Sequence, residues 1–147
     1  MENEDVAQLS VIAEARAALA DRLTTPWWYH PALGLLITGH VLSIGLGGTT
    51  VKTAGGVLFI AGCCALVSIY RRLTGVWVSG FDAGRASRWA TAMGALVGTV
   101  LAGAWALDYF TELTWPIWYL AAVAFVGAVV LGRRFDTALR AQLRAGA

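Results

Sequence analysis

The chain has 147 residues, 58% of them hydrophobic and 14% charged, with a net charge of +2 and a mean hydropathy of +0.64. Soluble domains carry about 25% charged residues, and a chain this short has too much surface to cover with so few. The excess apolar surface calls for lipid as solvent, which excludes a soluble enzyme and leaves no room for a nucleic-acid-binding module.

The first 25 residues read as an amphipathic helix. Asn3 is a candidate N-cap, and Glu4 and Asp5 favour the positive end of the helix dipole. Leu9, Ile12, Ala13, Leu19, Ala20 and Leu23 fall on one face, with Ser10, Glu14, Asp21 and Arg22 on the other. Arg16 lies within the apolar stripe and must snorkel or pair. The acidic start, Met1-Glu2-Asn3-Glu4-Asp5, lacks the basic region of a signal peptide, so the N-terminus is expected to stay in the mature chain. Thr24-Thr25-Pro26 ends the helix, which is too short and too charged to span a membrane.

Residues 26–134 then read as a four-helix transmembrane domain. Nearly charge-free stretches predict spans at Pro31–Gly48, Thr53–Tyr70, Trp89–Leu107 and Trp115–Gly132. Each has the roughly 17–20 residues needed to cross about 30 Å of hydrocarbon as helix. The 71–88 connection, RRLTGVWVSGFDAGRASR, is too apolar for a free linker and is expected in the membrane interface. Residues 135–147 are expected to continue the last span as a helical tail. The fold class is therefore all-α: a four-helix transmembrane bundle with an N-terminal amphipathic helix.

Charge placement gives the orientation. Arg16, Arg22, Arg71, Arg72, Arg85, Arg88, Arg133, Arg134, Arg140 and Arg144 all fall in segments that share one side of the membrane, and Lys52 is the only other basic side chain. The positive-inside bias predicts a cell-membrane protein with both termini in the cytoplasm. Trp27, Trp28, Tyr70 and Trp89 mark one interfacial plane, and Trp105, Tyr109, Trp115 and Trp118 the other.

Candidate functional residues are few. His40 is the only ionisable side chain near the middle of a span, so it is expected to face the bundle interior, with Ser43 one turn away. It reads either as a hydrogen-bonded packing residue or as a proton relay, a substrate contact or a ligand shared with Cys63 or Cys64. Small residues recur every fourth position in span three, at Ala90, Gly94, Gly98, Ala102 and Ala106, and also at Gly39, Ser43, Gly47 and at Ala124, Ala128, Gly132. Gly94, Gly98 and Ala102 are the candidate packing surface, serving one bundle or a contact with another helix. Arg71, Arg72, Arg85, Arg88, Arg133 and Arg134 form a basic ring suited to anionic headgroups of the inner leaflet. On the opposite turns, Lys52 faces Asp108 and Glu112 as a potential tie between the two hairpins. No nucleotide loop, metalloprotease helix or catalytic triad is read, and no cofactor is implied.

Pro26–Gly34 (PWWYHPALG), Tyr70–Trp89 (YRRLTGVWVSGFDAGRASRW) and Leu131–Arg140 (LGRRFDTALR) resemble a loose set of uncharacterised small four-span integral membrane proteins of actinobacteria. The resemblance implies a topology and carries no catalytic residues.

These features favour a non-enzymatic accessory protein whose partners are the lipid bilayer and either a second copy or another membrane protein, with no nucleic acid. The alternative is a small oligomeric transporter or channel with His40 as its coupling group, a holin-like pore being a lesser variant. A membrane enzyme acting on lipids would have to use Trp77, Asp82 and Arg85.

Overall fold

The computed structural model describes residues 25–75 and 84–145, together with scattered positions between Gln8 and Ala18. Four long helices are present: α1 Tyr29–Leu46, α2 Thr49–Thr74, α3 Ser87–Phe110 and α4 Trp115–Ala145, with a short 3-10 turn, Gly84–Ala86, leading into α3. All four are long and apolar enough to cross a membrane. Among the described residues there is no strand, and the helices pack as a bundle, as the charge pattern predicts.

The helix ends follow local chemistry. Pro31 sits in the first turn of α1, where a missing N–H breaks no helical bond. The α2 helix runs past its expected end at Tyr70 and stops at Gly75, whose φ of 68° is left-handed and whose N–H donates to the Arg71 carbonyl. Glycine adopts that cap without steric cost. The charge-free stretch thus marks the width of the hydrocarbon, while the helix itself persists until a residue breaks it. Likewise α4 carries 31 residues, or about 46 Å at the α-helical rise, so one of its ends must stand well clear of the hydrocarbon.

The seam between α1 and α4 is the centre of the bundle. On α1 the buried positions are His30, Gly34, Ile37, Val41 and Ile44, spaced alternately four and three apart. On α4 they are Ile117, Ala121, Ala124, Ala128 and Gly132. Large side chains on one helix face small ones on the other, so the backbones approach closely. In lipid, where tails are as apolar as leucine, this close packing replaces the hydrophobic drive. Thr38 adds a bond across the seam, its hydroxyl donating to the Ala121 carbonyl at 3.1 Å. From α3, Val100 and Ala104 complete the core, flanked by Met93, Leu96 and Val97.

The α2 helix is different. Only 6% of its most apolar window is buried, against 28% for α1 and for α4, so it is a peripheral rod resting on α1. Its hydroxyls find acceptors within their own helix: Ser68 donates to the Cys64 carbonyl and Thr53 to that of Thr49.

Beyond the seam, the last turns of α4 hold the entry to α3. Ala86 and Leu139 are buried together among Phe135, Ala138 and Leu143, and the Ala86 N–H donates to Gln142 Oε1 at 3.3 Å. The described N-terminal positions are helical and exposed. The rest of the expected amphipathic helix lies outside the described residues, as does the connection carrying Trp77 and Asp82.

Candidate functional site

Polar side chains converge where the first turn of α1 meets α4. His30 is 7% exposed, and its Nε2 lies 2.7 Å from Asp136 Oδ2. The ring fits because position 132 is glycine: a Cβ there would overlap the imidazole. Tyr29 packs edge-on to His30 at 5.4 Å between ring centres, and Tyr70 of α2 lies at 5.4 Å from Tyr29. One polar cluster therefore ties α1, α2 and α4 together.

Along α4, Arg133, Asp136, Thr137 and Arg140 recur at intervals of three and four residues, on one face of the helix. With Thr25, Pro26 and Trp27 they line a cavity of about 310 Å³ beside His30. Two buried nitrogens here have no hydrogen-bond partner, His30 Nδ1 and Arg140 Nε. The Thr137 hydroxyl is engaged, donating to the Arg133 carbonyl at 2.9 Å. Chemically, the Asp136 carboxylate accepts from the Nε2 proton and fixes the ring, while the guanidinium groups keep donors for a further acceptor.

His40 sits elsewhere. It faces the seam between α1 and α2 instead of the four-helix core, with its ring stacked on Phe59 at 5.0 Å and 11°. Ser43 Oγ is 3.3 Å from His40 Nδ1 and also donates to the His40 carbonyl at 2.8 Å. Beside it runs a groove of about 340 Å³, lined mainly by apolar side chains such as Leu35, Leu36, Val51 and Leu58. Among the described residues no group of three His, Cys, Asp or Glu side chains gathers to hold a metal.

Gly94, Gly98, Ala102 and Ala106 are all exposed on the outer surface of α3. A Cβ added at Gly94 or Gly98 would meet nothing within 4 Å. The basic candidates Arg71, Arg72, Arg85, Arg88, Arg133 and Arg134 are also exposed, and Arg88 lies over the Trp89 ring at 5.3 Å. At the opposite end of the bundle, Lys52 Nζ donates to Asp108 Oδ2 at 2.5 Å and lies 5.7 Å from the Trp105 ring centre. That pair joins the start of α2 to the end of α3.

The sequence reading passed over His30 and Asp136. They are 106 residues apart, and each falls just outside a span expected from the charge-free stretches. The available signal was the repeat of charged residues on one face of 133–140, which only a helix continuing past Gly132 would align.

Four long apolar helices and a small polar periphery define a small multi-span integral membrane protein. Compared with known proteins, the chain matches no family model, no curated relative and no solved structure.

Proposed function

We propose that the chain is a non-enzymatic accessory protein of the bacterial cell membrane that docks another transmembrane helix onto α3. The observation that carries this reading is the open stripe of Gly94, Gly98, Ala102 and Ala106. Small residues at this spacing let two helix backbones approach closely, and the gain in van der Waals contact drives association in lipid. Among the described residues, this face has no neighbour. In this reading the arginine-bearing end lies in the cytoplasm, because basic residues are retained on that side. The partner is a second copy or another membrane protein.

The test is the double substitution Gly94→Leu, Gly98→Leu in the full chain. Helix content and melting should stay as in the wild type, because no described residue packs against either position. The size of the complex in gently solubilised membranes should fall to that of the lone chain. An unchanged complex, or a wild type that already migrates as the lone chain, overturns the proposal.

A second reading, an oligomeric transporter, is favoured by the groove beside His40 and Ser43. Unchanged flux through vesicles holding His40→Ala would remove it.

A further inference from the structure

We propose that the cavity between the first turn of α1 and residues 133–140 of α4 binds a negatively charged phosphate group, held by Arg133 and Arg140. This inference does not depend on the α3 stripe.

The charge balance of the cavity is the first argument. Its ionisable lining is Arg133, Arg140, Asp136 and His30. Asp136 is already engaged, because one of its oxygens accepts from His30 at 2.7 Å. Even with His30 neutral, two guanidinium groups face one carboxylate, and the carboxylate has a partner of its own. The space left over is therefore electropositive.

The second argument is unmet hydrogen bonding. Arg140 Nε is buried and has no acceptor. A guanidinium N–H out of water and without an acceptor is costly, so such donors are normally paired. Asp136 Oδ2 is taken by His30 and the Thr137 hydroxyl gives its proton to the Arg133 carbonyl, and neither side chain pairs with Arg140 Nε. A phosphate group brings several acceptor oxygens at once, and the planar fork of arginine matches two of them together.

The third argument is place. The cavity lies beside Trp27, which is 81% exposed next to the apolar start of α1. An exposed indole beside a hydrophobic span sits at headgroup depth, where lipid phosphates are most concentrated. His30 forms the floor of the cavity. It is 7% exposed, it rests on Gly132, and its unpartnered Nδ1 makes it a reporter of whatever occupies the space. The same anionic oxygens belong to a lipid headgroup or to free phosphate, and the two sources separate by experiment.

The chain has two histidines, so a histidine-labelled sample in a neutral maltoside detergent gives two ring signals. The full chain is titrated separately with inorganic phosphate, with dihexanoyl phosphatidylglycerol and with zwitterionic dihexanoyl phosphatidylcholine. The His30 signal should shift with a saturable midpoint, while His40, in the α1–α2 seam, stays in place and reports an intact fold. A response to the glycerol lipid alone identifies a headgroup site, and a response to inorganic phosphate identifies a site for the free anion. Arg140→Gln and Arg133→Gln should each raise the midpoint about tenfold, the loss expected for one charge-assisted contact. Lys52→Gln, at the opposite end of the bundle beside Asp108, should leave it unchanged. The proposal falls if neither anion moves the His30 signal, if the choline lipid acts as strongly, if both histidine signals shift alike, or if the midpoint survives both cavity substitutions.

Discussion

Among the helices that carry small residues every fourth position, α3 and α4 use them in opposite ways. On α4, Ala124, Ala128 and Gly132 are buried against α1. On α3, Gly94, Gly98 and Ala102 face outward with no neighbour among the described residues, because that helix is turned to send Val100 and Ala104 into the core. The contrast teaches that a small-residue stripe marks a surface where a backbone can come close, without saying which backbone. Where the opposing helix offers bulk, as α1 does with Ile37, Val41 and Ile44, the stripe is filled from within the chain. Among the described residues, the α3 stripe is not filled in this way.

Substitutions should separate the two stripes. The largest effect on the fold is expected at Gly132→Leu, which drives a side chain into the His30 ring. Overpacking of a filled site should cost about 2–3 kcal/mol, read from reversible unfolding in mixed micelles. Next comes His30→Ala, which leaves Asp136 without its partner and opens a gap at the head of α1. A loss of about 2 kcal/mol is expected by the same measurement. Lys52→Met removes the pair with Asp108, a partly exposed contact at the far end, and should cost no more than about 1 kcal/mol. The smallest effect is expected at Gly98→Leu, within about 0.5 kcal/mol, since its added side chain meets open space. If Gly98→Leu unfolds the chain as Gly132→Leu does, the distinction between the stripes collapses.

Much of the architecture was legible beforehand. Lipid admits few charges, so the gaps between charged residues mark four apolar segments, and a backbone in hydrocarbon must be helical. Helix ends were less legible. The chain stays helical beyond the hydrocarbon until glycine intervenes, as at Gly75, or runs on as α4 does to Ala145. The polar cluster at the head of α1 was legible only as the repeat of charged residues along 133–140. His30 follows an aromatic run that reads as an interfacial anchor, and Asp136 lies among arginines that read as a topology signal. Only the close approach of α1 and α4 at Gly132 brings them together. His40 drew attention because a lone histidine in a span is expensive to bury. In the structure Ser43 lies beside it and Phe59 is stacked on its face.

The proposed function has the outer face of α3 meeting another protein helix. A photoreactive amino acid placed at Ala102 tests it directly in living cells, with Val126 as the matched control. Both positions are exposed, Val126 on α4 at 58%, but they lie on different surfaces of the bundle. Irradiation should join position 102 to a second polypeptide in one discrete product and give none from position 126. No product from 102, or equal products from both, would contradict the account.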